Sequence, residues 1–184
     1  TGLVEDGRTL AHLGDAYASK LLDALGSNGF DSVFGPAYKG VPLAVATAIS
    51  LAQKGAVKPY LFDRKEKKTH GEEASGKTDA AAVLVGHRPK EGERIAMVDD
   101  VLTDGATKRE AVQLLKSIVP NARFPALVIA VNRQETLPDG NDACTAFTSA
   151  AGVPVFAAVT MTEILTHLDE TGRLPAADRA RCVE

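Results

Sequence analysis

Ile95-Ala96-Met97-Val98-Asp99-Asp100-Val101-Leu102-Thr103-Asp104-Gly105-Ala106-Thr107 is an apolar run that ends in two carboxylates and passes into a small, hydroxyl-bearing loop. Four apolar residues bounded by polar ones suit a strand buried on both faces of a parallel sheet. Such sheets collect ligands outside the carboxyl ends of their strands, which is where this pattern puts Asp99 and Asp100. The Thr-x-Gly-x-Thr loop can turn backbone N–H groups toward an anion, and the helix after it adds the positive end of its dipole. Carboxylates suited to sugar hydroxyls thus lie beside a phosphate cradle. An acidic pair after a buried strand also serves magnesium sites. Thr107-Lys108-Arg109-Glu110 fits a capping box with Thr107 opening the helix, which is compatible with a cradle because helix starts bind phosphate.

Strands and helices alternate on both sides of this stretch. Leu10, Leu13, Tyr17, Leu21 and Leu25 recur at helical spacing, with Gly26 as a stop. Residues 31–34 read as a strand, turned by Gly35-Pro36-Ala37-Tyr38-Lys39-Gly40 into a helix with Pro42 at its first position. Strands are expected over 58–62 and 81–85, and 94–98 is the strand of the opening motif. Ala111, Leu114, Leu115 and Ile118 form a helical apolar face, and 124–131 is strongly β-prone. A helix over 143–151, a strand over 153–159 and a helix over 161–168 complete the pattern. This alternation predicts an α/β fold with a mostly parallel central sheet flanked by helices. With no internal repeat and no low-complexity linker, residues 1–184 read as a single domain.

Composition narrows the function. A net charge of −3 leaves no global basic field for nucleic acid, so any anion site is local. The longest nearly apolar stretch, 41–52, is interrupted by Thr47 and Ser50 and is too short to span a bilayer, and no signal peptide precedes it. Cys144 and Cys182 have neither metal-ligand spacing nor the density of a disulfide framework, which predicts reduced thiols and a cytoplasmic setting. Thr1 stands where an initiator methionine is expected, so upstream residues are taken to be missing.

Three further constellations carry chemistry. Lys39, between small residues at a second strand end, can approach a polyphosphate or simply be a solvated turn lysine. The run Asp63-Arg64-Lys65-Glu66-Lys67-Lys68-Thr69-His70-Gly71-Glu72-Glu73 is either solvated surface or a cation-bearing lid over an active site. Arg133, directly after a β-prone run, can fork onto a substrate carboxylate or make a structural ion pair. His12, His87 and His167 have no partner spacing and receive no role.

From Gly7-Arg8 to about Leu168 these segments resemble the orotate phosphoribosyltransferases, a branch of the type I phosphoribosyltransferases. Three blocks carry the resemblance: Phe34 to Gly40, Asp63-Arg64-Lys65-Glu66 with Lys68-x-His70-Gly71-Glu72, and Val98 to Thr103. The last marks the superfamily; the first two, with Asn132-Arg133-Gln134-Glu135, favour the orotate branch. The resemblance implies transfer of ribose 5-phosphate from phosphoribosyl pyrophosphate (PRPP) to N1 of orotate, with Mg²⁺ as cofactor, giving orotidine 5′-monophosphate and pyrophosphate on the route to UMP. It also implies the type I phosphoribosyltransferase fold with a mobile catalytic loop and an N-terminal hood, the latter missing before Thr1.

By the same resemblance Tyr38 and Lys39 form a pyrophosphate loop that contains a cis peptide. Asp99 and Asp100 bind the ribose hydroxyls, and Val101 and Leu102 lead into the 5′-phosphate cradle of Thr103, Asp104, Gly105, Ala106 and Thr107. Thr103 also lies near orotate, which Arg133 contacts. Arg64, Lys65, Lys68 and His70 bind PRPP from the strand end and the mobile loop. Lys68, His70, Asp99 and Asp100 are the catalytic set, and some of Arg64, Lys65, Lys68 and His70 act across the interface of a homodimer with shared active sites. No protein ligand to a metal is assigned. The chain departs from the family at Asp104, where a small or hydroxyl residue is usual, at Ala106, where threonine is common, and at 73–82, which reads as an insertion. Asp104 is expected to turn outward and cap the helix, leaving its backbone N–H for the phosphate. A transferase for another base and a non-catalytic PRPP sensor of the same fold are the alternatives.

Overall fold

The computed structural model describes residues 4–64, 83–137 and 140–175. Its centre is a six-stranded sheet of β1 (Ser32–Gly35), β2 (Tyr60–Asp63), β3 (Leu84–Gly86), β4 (Ile95–Val101), β5 (Leu127–Asn132) and β6 (Val155–Thr160), in the order β3-β2-β1-β4-β5-β6. All neighbours are parallel except β2 and β3, which run antiparallel with Asp63 opposite Leu84. The described residues add five helices: α1 (Gly7–Leu25), α2 (Gly40–Gln53), α3 (Ala106–Ile118), α4 (Ala143–Ala151) and α5 (Met161–Glu170). Among the described residues no helix is long and apolar enough to cross a membrane. The expected mobile loop, with Lys65, Lys68 and His70, lies outside the described residues, as does the start of the strand expected over 81–85.

Helix ends follow local chemistry. Asp6 accepts the N–H groups of Arg8 and Thr9 at 2.8 and 2.9 Å and so opens α1, while Gly26 closes it at φ 67°. Asp142 caps α4 by accepting from Thr145 N–H, and Thr160 with Glu163 forms a full capping box on α5. Helix α2 begins at Gly40, so Pro42 occupies its third position rather than its first, still within the turn whose N–H groups need no partner.

Strand starts differ from the sequence reading for one recurrent reason. The expected strands over 58–62, 124–131 and 153–159 each contain an early proline, and the observed strands begin after it, at Tyr60, Leu127 and Val155. Proline has no N–H to give a ladder, but its carbonyl still serves: Pro59 accepts from Val33 N–H at 3.0 Å and Pro154 from Leu127 N–H at 2.8 Å.

Side chains alternate across β4 and divide the core in two. Ile95 and Met97 join Phe34, Leu127 and Ile129 against Leu115 of α3 and Phe147 of α4. Ala96 and Val98 join Val33 and Val128 against Tyr17 and Leu21 of α1 and Leu43 and Leu51 of α2. Most of these residues are fully buried, and each large apolar side chain so placed contributes about 1.5–3 kcal/mol relative to exposure.

Candidate active site

The expected strand over 94–98 is too short. β4 continues through Asp99 and Asp100 to Val101, pairing Asp99 with Ile129 and Val101 with Val131 of β5. The acidic pair is therefore built into the last rungs of the ladder rather than hanging from its end. Because successive strand residues face opposite ways, Asp99 continues the Ile95–Met97 side toward α3, and Asp100 continues the Ala96–Val98 side toward α2. Their partners agree: Lys108 Nζ of α3 lies 2.7 Å from Asp99 Oδ2, and Lys39 Nζ, at the start of α2, lies 3.2 Å from Asp100 Oδ2. Asp99 Oδ1 accepts Asp100 N–H at 2.8 Å, and Asp100 Oδ1 accepts Val101 N–H at 2.9 Å.

The two acids differ electrostatically. Burial pushes the Asp99 carboxyl above the usual carboxylate range, against the opposing pull of Lys108 and of Asp100 N–H. Burial acts on Asp100 too, but the Lys39 hydrogen bond, the Val101 N–H and the charges of Lys39 and Lys108 outweigh it and hold that carboxyl below its ordinary value. Behind them the Tyr17 hydroxyl donates to the Asp99 carbonyl at 2.5 Å. Burial first, then the Asp99 and Asp100 charges, push this phenol far up, so it stays a donor.

The loop from β1 to α2 is held by close packing. A side chain on Gly35 would come 2.5 Å from the carbonyl carbon of Gly40, and one on Gly40 would come 2.6 Å from Pro36 Cδ. The Ala37–Tyr38 peptide is cis, as the resemblance implies. Asp63, ending β2, accepts Ala37 N–H at 2.7 Å and fixes the loop from the next strand. Tyr38 is 65% exposed, which leaves the loop open to a ligand. Arg64 lies exposed just past β2, its N–H donating to Val83 at 2.9 Å.

The 103–107 loop is shaped from α3. Gly105, at φ 71°, is the residue before the helix, and a side chain there would meet Phe147 Cδ2 at 2.6 Å. Arg109 Nη1 donates to the Asp104 carbonyl at 2.7 Å. Leu102 anchors the loop in the core, while Thr103, Asp104 and Thr107 are exposed and Ala106 is half-buried. The expected capping box does not form. Helix α3 starts at Ala106, which puts Thr107 inside its first turn, and Asp104 Oδ1 accepts Ala106 N–H at 3.1 Å instead. Asp104 does fold onto the helix start, and in doing so it occupies one of the N–H groups the cradle would offer.

Arg133 lies just past β5, where its Nη2 pairs with Glu135 at 2.9 Å. That is its ion-pair alternative, although its buried Nε has no hydrogen-bond partner among the described residues. His87 does have a partner, contrary to expectation: its Nε2 lies 3.0 Å from Glu93, whose carboxylate also accepts Ser32 Oγ at 2.6 Å. This cluster sits at the amino edge of the sheet, away from the acids. The structure thus gathers Tyr38, Lys39, Asp99, Asp100 and 101–107 along the carboxyl edge around β1 and β4, with Arg64 and Arg133 at the ends of neighbouring strands.

Sequence reasoning missed Asp63, Tyr17 and Lys108 in this arrangement. Lys108 carried a signal: a cation in a helix's first turn opposes the helix dipole and calls for a nearby carboxylate. Asp63 and Tyr17 act through contacts 26 and 82 residues away, which no local pattern encodes.

Residues 2–170 match the family model of the phosphoribosyl transferase domain. The orotate phosphoribosyltransferase of Bifidobacterium adolescentis is 39% identical over 169 residues, covering 89% of this chain and 69% of that protein. That of Halorhodospira halophila is 40% identical over 173 residues, covering 94% and 74%. The crystal structure of the Francisella tularensis orotate phosphoribosyltransferase superposes with a TM-score of 0.72 at 32% identity, covering 92% of this chain and 75% of that one. With the acids, the cis loop and the helix-start cradle set along one sheet edge, the chain belongs to the phosphoribosyltransferase family, among the orotate phosphoribosyltransferases.

Proposed function

We propose that the chain, acting as one phosphoribosyltransferase domain, transfers ribose 5-phosphate from PRPP to N1 of orotate and supplies pyrimidine nucleotide synthesis. The observation that carries this reading is the Asp99–Asp100 pair, each acid held by its own lysine, beside a helix-start loop with exposed Thr103 and Thr107. In the reaction the N1 lone pair forms the bond to C1′, the C1′–O bond breaks, and pyrophosphate leaves with that bond's electrons while N1 gives up its proton. The sugar passes through an oxocarbenium-like state, so the protein needs no nucleophile; it needs position and opposite charge.

Asp99 and Asp100 accept from the ribose hydroxyls and favour the cationic sugar. Tyr38 and Lys39 hold the leaving pyrophosphate, and Thr103, Asp104, Gly105, Ala106 and Thr107 carry the 5′-phosphate. Arg133 exchanges Glu135 for the orotate carboxylate. Arg64, Lys65, Lys68 and His70 bind PRPP, in a cytoplasmic homodimer whose sites are shared.

Magnesium fits this arrangement as a passenger of PRPP. Mg²⁺ prefers oxygen ligands and commonly binds through substrate phosphates. Among the described residues no cluster of three or more His, Cys, Asp or Glu is placed to hold a metal. The residues that would hold the loaded substrate are Tyr38, Lys39 and 101–107, and the ion would supply charge neutralisation on the departing pyrophosphate.

Incubation with PRPP, Mg²⁺ and a panel of bases is expected to consume orotate and release pyrophosphate, with purines and uracil inert. Turnover of another base alone, or PRPP binding without turnover of any base, would replace this reading. Within it, Asp104→Ser is expected to lower the KM for PRPP by about threefold to tenfold, because one exposed repulsive charge leaves the phosphate loop while a capping hydroxyl remains. An unchanged KM in steady-state kinetics would show that Asp104 does not face the phosphate.

A further inference from the structure

Lys108 is the most deeply set cation among the described ion pairs. Its side chain is 12% exposed, and the carboxylate it meets, Asp99, is 7% exposed. It occupies the third position of α3, where no acidic residue shares the first turn and the helix dipole disfavours a positive charge. The neighbouring Arg109 grips the loop through the Asp104 carbonyl. The first turn of α3 therefore holds the acid with one side chain and the phosphate loop with the next.

Each carboxylate oxygen of Asp99 has one partner in the protein and keeps acceptor capacity to spare: Oδ1 takes Asp100 N–H and Oδ2 takes Lys108, while the backbone carbonyl takes the Tyr17 hydroxyl. We propose that Lys108 is a positioning residue for PRPP, fixing the Asp99 carboxylate in the orientation that receives the ribose hydroxyls and coupling it to the 103–105 loop. The proposal rests on the reading of PRPP as donor but not on orotate as acceptor. Without Lys108 the Asp99 carboxylate loses the cation seated on its Oδ2, while Lys39 stays paired with Asp100 on the opposite side of the strand. Each ribose contact then has to be made to a carboxylate oriented by the Asp100 N–H alone, and the loss falls on PRPP binding more than on bond breaking.

The test measures Mg²⁺–PRPP affinity by calorimetry, and KM and kcat by steady-state kinetics, in Lys108→Met, Lys108→Arg and Lys108→Gln variants of the full chain. Lys108→Met is expected to weaken PRPP binding about tenfold or more and to raise its KM by a similar factor, with kcat within about threefold of wild type. Lys108→Arg, which keeps the charge, is expected to bind PRPP within about threefold of wild type. In an Asp99→Asn background, Lys108→Met is expected to cost little more, because both changes break the same link. Should Lys108→Met not fold, Lys108→Gln gives the same readout.

A lowered melting temperature with PRPP affinity unchanged would overturn the proposal and leave a purely structural ion pair. A full tenfold loss persisting in the Asp99→Asn background would also overturn it, because Lys108 would then contact PRPP directly. Orotate turnover that fails while PRPP binding keeps this pattern would refute the acceptor and not the positioning role.

Discussion

Asp100→Asn is expected to lower turnover about 100-fold or more while moving the melting temperature by no more than about 4 °C. The magnitude follows from what one preorganised group contributes to stabilising developing charge. The modest thermal cost follows from the partner: Lys39 is 67% exposed and returns to water when its carboxylate is lost. A pair of that kind contributes about 1 kcal/mol or less, worth roughly 2–4 °C in a domain of this size. Asp99→Asn is expected to lose activity to a similar degree and to cost about 2 kcal/mol of stability in addition, because the Lys108 ammonium stays sequestered without a counter-charge. Steady-state kinetics beside calorimetric melts separate the two acids. Equal losses of melting temperature and activity in Asp100→Asn would mark that acid as structural.

Gly35→Ala is expected to destabilise the protein by about 4 kcal/mol or more, the tail reserved for substitutions that strain the backbone or overpack a core. The added methyl would run into the carbonyl of Gly40, and the nearest atoms are backbone and Ala44 Cβ rather than the end of a flexible side chain. β1 and α2 must then part, and the loop bearing Tyr38 and Lys39 moves with them. Activity is expected to fall at temperatures well below the new melting point, as measured by far-UV circular dichroism melts together with initial rates. Gly55→Ala is a control of different character: that glycine has open space around its missing side chain and only a positive φ of 80° to strain.

The fold was legible because its elements obey local rules. Helices α1 and α4 appear where Leu periodicity, Gly26 and the 143–151 pattern put them, and each strand of the parallel sheet has its own apolar run. Strand ends were harder, because a proline inside a β-prone run keeps the run's hydrophobicity while removing a ladder donor, as at Pro59, Pro125 and Pro154. A strand was expected over 81–85, but the antiparallel direction of β3 was not legible, because the composition of Leu84–Gly86 does not encode which way it runs beside β2. Residue types and spacing singled out the acids, Lys39 and the 103–107 loop, which the structure places along one edge of the sheet. They offered an ion pair or a ligand contact for Arg133, and both Asp104 and Thr107 as helix caps, but could not choose between them, since these are competitions between neighbours settled by geometry.

The alternation along β4 gives each acid its own hydrophobic foundation. Asp99 stands above the packing of Leu115 and Phe147, and Asp100 above that of Leu43 and Leu51. A mutation that loosens one foundation reaches one acid first and the other only through the sheet. Under the ribose-binding role proposed for the two acids, substitutions beneath one of them would retune contact with the sugar at that acid first, which gives natural variation two separate dials where the sequence writes two adjacent letters.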